Sequence, residues 1–320
     1  MDVIYLDFSK AFDKVDHGVV LRKLSKLKVG DKVGRWIHSF LTNRTQSVCI
    51  DGVTANPAPV RSGVPQGSVL GPIIFLILIG DIDENVASSF CSSFADDTRV
   101  GRPVNSASDS DLLQKDLDSI YEWAERDNMS FNEDKFETIH YSASKKSESN
   151  STYYTSSGQT IQSKKQVKDL GVLIDDDGLF RGQIRNVISK AKRLSSWILR
   201  TFETRAVRPM ITLWRTLVLP VLDYCCQIWS PWLKGLINDL ESVQRSFTRR
   251  IHGLGHMDYW QRLKHLRLYS LERRRERYMI IYAWKIIENL VPGQLKVYTS
   301  GRRGRFIHIE DYRNLPNKHV

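Results

Sequence analysis

Residues 2–17 read Asp-Val-Ile-Tyr-Leu-Asp-Phe-Ser-Lys-Ala-Phe-Asp-Lys-Val-Asp-His. The apolar run at 3–6 has the length and the β-branched and aromatic character of a buried strand, and it ends on Asp7. A matching arrangement lies downstream. Residues 90–100 read as two short strands around a tight turn, and the turn holds Asp96 and Asp97 within Phe94-Ala-Asp-Asp97. Between these points a helix is expected from a cap at Asp16, burying Val20, Leu24 and Leu27. A second helix is expected with Val33, Trp36, Ile37, Phe40 and Leu41 on one face. A hairpin is expected over 46–53, turning at Asp51-Gly52, then a Pro- and Gly-rich loop over 57–67 and an apolar helix reaching about Ile82. Leu113, Leu117, Ile120 and Ala124 mark a further amphipathic helix, followed by a strand at 138–141. Residues 142–166 are rich in Ser, Lys and Thr and read as a linker, and a strand at 167–174 closes the β-containing part.

From about residue 183 the pattern changes to helix alone. Ile184, Val187, Ile188, Ala191, Leu194 and Ile198 form one stripe, Leu236, Leu240, Val243 and Phe247 another, and a third helix runs from Leu271 to about Asn289. The predicted class is therefore α+β, with a sheet-and-helix part followed by a helical part. Trp197, Trp214, Trp229 and Trp232 are expected in the core.

The acids carry the chemistry. An aspartate after a strand is usually a helix cap, and an isolated Asp-Asp pair is usually a solvated turn. Adjacent carboxylates also repel and raise one another's pKa unless a cation offsets the charge. A cluster of strand-end carboxylates is what two-metal phosphoryl transfer requires, because hard oxygen ligands suit Mg²⁺ and leave room for water and phosphate.

Among the 320 residues, 41% are hydrophobic and 26% charged, as in ordinary globular proteins rather than disordered or fibrous ones. The 47 Lys+Arg exceed the 36 Asp+Glu, for a net charge of +11, which suits a polyanionic partner, nucleic acid or an anionic membrane. The four cysteines, Cys49, Cys91, Cys225 and Cys226, form no Cys-x-x-Cys and are expected as reduced thiols in an intracellular compartment. The adjacent Cys225-Cys226 pair is a poor match to zinc-ligand spacing, even with His252 and His256 downstream. The first residues lack the features of a signal peptide, and the apolar run at 73–79 is far shorter than the roughly 20 residues that span a bilayer, so neither secretion nor a membrane span is expected.

Three segments in order carry a family resemblance. Residues 2–17 resemble motif A of the reverse transcriptases of non-LTR (LINE-type) retrotransposons, Ser62-Gly-Val-Pro-Gln-Gly-Ser-Val-Leu-Gly-Pro72 resembles their motif B, and Phe94-Ala-Asp-Asp97 their motif C. Trp123-Ala-Glu through Asn132-Glu-Asp-Lys135 is similar to motif D, and Val167-Lys-Asp-Leu-Gly-Val172 to the region that grips the primer end. The likeness covers about residues 2–180, and the helical tail around Tyr224 to Pro231 and Leu240 to Arg245 resembles the region beyond the polymerase core in arthropod-type elements. Ser9-Lys-Ala-Phe-Asp-Lys14 and Leu70-Gly71-Pro72 favour this kind over group II intron-like or telomerase-like enzymes.

The resemblance implies an RNA-directed DNA polymerase, with a reverse-transcriptase palm over 1–182 as an antiparallel sheet backed by helices, a helical thumb over 183–255 and a basic helical extension over 256–320. It also implies a fragment beginning at motif A with the fingers absent. Asp7 and Asp96 become the principal ligands of two Mg²⁺ ions, with Mn²⁺ as a substitute, Asp97 completes the cluster, and the Phe8 carbonyl is an additional ligand. Phe12 falls at the position that selects deoxynucleotides, although a core phenylalanine is the competing reading. Gln66 would touch nucleotide and template, with Gly63 and Gly67 allowing close approach, and Lys135 is either a pyrophosphate-protonating group or a surface lysine. Asp13 and Asp16 read as salt-bridge and capping groups.

The implied partners are an RNA template, a DNA primer and dNTPs, with no membrane, in the nucleus at the site of integration and in the cytoplasm alongside element RNA. Oligomeric state is not encoded legibly. Charged helix faces are usually just solvated, but together the arginines and lysines of the tail offer a sequence-independent grip on phosphates. These are Arg185, Lys190, Lys192, Arg193 and Arg200, then Arg245, Arg249 and Arg250, then Arg273, Arg274, Arg275 and Arg277; Arg185, Lys192, Arg193, Arg245 and Arg249 are expected to contact nucleic acid. The competing function is a catalytically inactive remnant that only binds nucleic acid.

Overall fold

The apolar run after Asp2 does form a strand, β1 (Asp2–Leu6), and it occupies the centre of a five-stranded sheet. The computed structural model describes residues 1–142, 151–291, 295–298 and 306–309. Helix α1 (His17–Lys26) starts where Asp16 accepts a hydrogen bond from the Val19 amide, and α2 is Asp31–Leu41. Short strands β2 (Arg44–Gln46), β3 (Cys49–Ile50), β4 (Val53–Thr54) and β5 (Ala58–Val60) make a hairpin arm, β3 pairing with β4 across Asp51-Gly52 and β2 with β5. Helix α3 (Leu70–Ile79) is followed by β6 (Phe90–Phe94), β7 (Asp97–Arg102), α4 (Ala107–Arg126) and β8 (Glu137–His140). Strands β9 (Gln162–Lys164), β10 (Gln166–Asp169) and β11 (Val172–Asp175) complete the β part.

The sheet order is β6-β7-β1-β8-β9. Because side chains alternate along a strand, Ile4 and Leu6 of β1 face one side and Val3 and Tyr5 the other. The first side packs on Val19, Val20 and Leu24 of α1, Ile74, Phe75 and Leu78 of α3, and Leu113, Leu117, Ile120 and Trp123 of α4. On the second side Val3 joins Ile139 and Val167 in a smaller cluster.

Several expectations need correction. Leu27, Val33 and Trp36 are exposed, because α1 ends at Leu27 as its C-cap and α2 buries only Ile37 and Leu41. The sheet is not wholly antiparallel, since β9 runs parallel to β8. That strand lies in the stretch read as a linker, of which residues 143–150 lie outside the described residues. Tyr153 explains the order beyond them: its ring is buried and its hydroxyl donates to Asp2 at 2.7 Å. The single strand expected over 167–174 is broken, because Leu170 (φ 44°) and Gly171 (φ 84°) turn the chain between β10 and β11.

The chain divides into two compact units, Met1–Leu170 and Gly171–Val320, so the division falls upstream of the change in character expected near residue 183. The second unit carries α5 (Arg181–Thr201), α6 (Val207–Leu213), α7 (Leu219–Asp223), α8 (Cys226–Trp229), α9 (Lys234–Arg249), α10 (Tyr259–Leu266) and α11 (Leu271–Ile287), and the extension expected as helical over 256–320 also holds an antiparallel pair, β12 (Leu295–Tyr298) with β13 (Phe306–Ile309), whose alternating apolar residues suit strands. Its core sets Ile184, Val187, Ala191 and Ile198 of α5 against Met210, Trp214 and Leu222, and against Leu240, Val243 and Phe247 of α9. Between α6 and α7 the helix widens into a π turn, where the Leu219 amide reaches the Trp214 carbonyl and Pro220 has no N–H to donate. Trp214 and Trp229 are buried as expected, whereas Trp197 and Trp232 are exposed.

Candidate active site

Strand register brings the acids to one edge of the sheet. Leu6 is paired with Thr98 and Phe94 with Asp97, so Asp7, one residue past its pair, continues toward Asp97. Asp96 sits in the two-residue turn with Ala95, whose φ of 53° is a left-handed conformation for a residue with a Cβ. Partial burial, then the charges of Asp96 and Asp7, push the Asp97 carboxyl above its ordinary value. Lys135, at the end of a 3₁₀ turn, ion-pairs with Asp7 at 3.0 Å. Among the described residues, no three His, Cys, Asp or Glu side chains form a cluster that would hold a metal ion unaided.

A cleft of about 550 Å³ opens beside these acids, lined by Asp7, Asp97 and Lys135 together with Arg99, Lys164 and Lys168, among others. Tyr5 on β1 and Asp7 just past its end are two residues apart, as are Asp97 and Arg99 on β7, which is why all four line the same cleft. That period of two was available in the sequence and could have found Arg99. Lys164 could not have been found, because its strand was not recognised.

The other candidates lie outside the cleft lining. Phe8 is buried against Phe131, with ring centroids at 4.7 Å. Beside it the Asp7 carbonyl accepts from the Asn132 amide and the Ser9 amide donates to the Ser130 carbonyl, so this ladder leaves the Phe8 carbonyl out. Phe12 is half-buried and stacks on Phe75 at 4.6 Å. Gln66 is exposed and donates to Asp13 at 2.9 Å, so Asp13 serves as a hydrogen-bond acceptor rather than the salt-bridge group expected. Gly63 allows a close approach of another kind than the one expected. With φ of 83°, its amide donates to the Val15 carbonyl, and a Cβ would stand 2.7 Å from the Asp13 carbonyl oxygen. The loop 62–64 is thereby pinned to the loop after β1. Gly67 (φ 80°) has open space around it.

On α5, Arg185, Lys192 and Arg193 are exposed opposite the apolar stripe, and on α9 Arg245 and Arg249 are exposed. None of the five forms an ion pair among the described residues. The α11 arginines differ. Arg274 pairs with Asp223 at 2.7 Å, and Arg275 is buried, so these two are structural rather than free for phosphate.

A mostly antiparallel sheet backed by helices on one face, carrying these three motifs in order, defines the palm of a template-directed polymerase. Residues 3–174 match the reverse transcriptase (RNA-dependent DNA polymerase) family, and the chain belongs to that family. It is 27% identical over 263 residues to the RNA-directed DNA polymerase from mobile element jockey of Drosophila melanogaster, covering 78% of this chain and 28% of that protein. It is also 25% identical over 274 residues to the retrovirus-related Pol polyprotein from type-1 retrotransposable element R2 of Popillia japonica, covering 79% of this chain and 43% of that protein. Its relatives are thus polymerases of LINE-type retrotransposons, of whose jockey members it spans about 28%. A solved telomerase from Candida albicans aligns with a TM-score of 0.46 and 11% identity, over 84% of this chain and 49% of that one.

Proposed function

We propose that this chain carries the catalytic palm of an RNA-directed DNA polymerase of a non-LTR retrotransposon, joining dNTPs to a primer 3′-hydroxyl on an RNA template. The observation that supports it most is the strand register, which carries Asp7 past the Leu6–Thr98 pair toward Asp97 and sets Asp96 in the turn beside it, crowding negative charge at the strand ends. Excess negative charge on hard oxygen donors calls for a divalent cation, and Mg²⁺, with Mn²⁺ in its place, fits because it keeps waters and takes phosphate oxygens as ligands. Asp7, Asp96 and Asp97 would hold it, and the Phe8 carbonyl is the additional donor. When bound, such ions supply activation of a hydroxyl nucleophile and neutralise charge on the leaving pyrophosphate.

The chain's own groups do the rest. Lys135 supplies a positive charge at Asp7, within reach of a phosphate that approaches the cleft. Phe12, held by Phe75, presents a rigid ring against a 2′-hydroxyl. Gln66 and the open backbone at Gly67 line the approach for template and nucleotide, and Arg185, Lys192, Arg193, Arg245 and Arg249 give phosphate contacts. Residues 183–255 serve as the thumb and 256–320 as a basic extension, and the setting is the nucleus at the site of integration. Among the described residues no helix is long and apolar enough to cross a membrane.

Primer extension on an RNA template, with Asp96→Ala alongside, tests the reading. Incorporation that depends on divalent metal and falls at least about a hundredfold in the variant is expected, as for loss of a group that stabilises the transition state. Nucleic-acid binding without any incorporation by the parent chain would overturn it in favour of a binding remnant.

A further inference from the structure

Arg99 lines the carboxylate cleft on the same face of β7 as Asp97, two residues on and about 7 Å along the strand. Across the ladder it stands opposite Tyr5, whose neighbour on the other side is Glu137 of β8, and Asp7 lies on the diagonal. A half-buried guanidinium in this place has carboxylates on two sides. It pairs with neither Asp97 nor Asp7. Arg99 donates instead to Asp169, the last residue of β10, whose side chain is only 10% exposed. The hydroxyls of Tyr5 and Tyr141 mark the same direction, since burial pushes both up and the charge of Arg99 is among the influences that oppose it. The other charges of the cleft are partly matched. Glu137 has Lys164 at 3.9 Å and Asp7 has Lys135 at 3.0 Å, while among the described residues no cation pairs with Asp96 or Asp97.

We propose that Asp169 is a positioning residue for the carboxylate site: by pairing with Arg99 it holds the guanidinium off Asp97 and Asp7 and leaves these acids open to a divalent cation. The inference rests on the reading that the strand-end acids bind such an ion. A guanidinium cannot shed its charge, so a half-buried one deprived of Asp169 must find another acid or turn out to water. The nearest acids on its face are Asp97 and Asp7, and the forked donors of arginine match a carboxylate well. Seated there, Arg99 would occupy the oxygens that a metal ion needs and set a like charge beside that ion. Lys135 on Asp7 is a smaller obstacle. Its side chain is 62% exposed, and an ammonium on a flexible stem is readily drawn off into water.

The test is the loss of the free Mn²⁺ signal in electron paramagnetic resonance as the whole chain is titrated, with nucleotide and nucleic acid absent, which reads metal affinity and not incorporation. Asp169→Asn should weaken Mn²⁺ binding about three- to fivefold, the upper range for a partly exposed ion pair that the metal must first break. Asp169→Glu keeps the charge and should stay near the parent. Arg99→Gln should bind the ion at least as tightly as the parent, and adding Arg99→Gln to Asp169→Asn should restore parental affinity. A pair that merely fastens β10 to the sheet would give another pattern, with both single variants and the double variant weakened alike, and that result would overturn the proposal. Unchanged affinity in Asp169→Asn beside a loss in Asp96→Ala would overturn it while leaving the metal site standing. Equal binding by Asp96→Ala and the parent would remove the metal site itself, and the proposal with it.

Discussion

Gly63 and Gly67 are four residues apart in one loop, both with positive φ, yet a methyl group added to each meets a different fate. At Gly67 a Cβ finds nothing within 4 Å, so Gly67→Ala carries only the cost of a left-handed backbone, about 1 to 2 kcal/mol. At Gly63 a Cβ would lie 2.7 Å from the Asp13 carbonyl oxygen and 2.9 Å from its Cα, both backbone atoms that cannot rotate away. Gly63→Ala should therefore destabilise by clearly more, about 3 kcal/mol or above, since a steric clash adds to the strain. Urea denaturation of both variants checks this, and equal losses would show that loop 62–64 shifts without cost. At this scale the sequence was legible where a residue's task is local. The Asp16 cap and the strand ending before Asp7 depend only on neighbours in the chain. Gly63 was visible as a glycine that mattered, but its partner, Asp13, lies in another loop, and no pattern in a single sequence announces that contact. The same holds for Lys135, whose pairing with Asp7 joins residues far apart in the chain.

Helix α1 shows how an element can be read correctly and its tie to its neighbours still be missed. The stripe Val20 and Leu24 packs inward as its spacing predicts, but Lys23 is buried beside it. Its amine pairs with Asp81, just beyond α3, and with Asp127, the C-cap of α4, and also donates to the Leu78 carbonyl. Asp81 further accepts from the Trp123 indole at 2.7 Å. One cation thus ties together three helices on the same face of the sheet. Breaking such a buried pair from one side leaves carboxylates without compensation, so Lys23→Met should cost about 3 to 5 kcal/mol at neutral pH. The pH dependence has a definite sign. Burial pushes the Asp81 carboxyl up, but the bonds from Lys23 and Trp123 and the charges of Lys23 and Arg126 outweigh that, leaving it below its ordinary 3.8. A depressed carboxylate contributes stability that is fully present above the unfolded value and is lost as pH falls through the folded one. The gap between parent and Lys23→Met, measured by urea denaturation, should therefore shrink below about pH 4, where unfolded carboxylates protonate. A gap that stays constant with pH would mean that the methionine costs packing alone. Sequence patterning treats a lysine as solvated, because nothing local separates a buried lysine with distant partners from a surface one. Strand β9 escaped for a related reason, since three residues of Gln-Ser-Lys have no strand character and hold their place by pairing with β8.

At the level of the whole chain, the order of the three motifs and the passage from mixed structure to helix as far as Ile287 were legible because both are patterns of sequence over long stretches, whereas the short strand pair of 295–298 with 306–309 was not. The position of the division was not, since it turns on the Leu170–Gly171 turn rather than on any change in composition. Each unit has its own core. In the first, Ile4, Phe75 and Trp123 are buried together, and in the second Trp214, Val243 and Phe247. Cooperative subunits of folding generally follow such cores, each opening with its own free energy. Phe247 is 1% exposed, with its ring 4.8 Å from that of Trp214, so Phe247→Ala should cost about 3 to 5 kcal/mol through lost burial and the cavity left behind. Hydrogen exchange read by mass spectrometry should place that loss in the second unit. Amides of α5, α6 and α9 should exchange faster, while β1, β7 and α4 keep the protection of the parent chain. The strand-end carboxylates should accordingly stay in place in a variant whose helical unit has been weakened. A uniform loss of protection from Asp2 to Ile287 would instead make the two cores a single cooperative body, and any defect in the helical unit would then reach the carboxylate cleft directly.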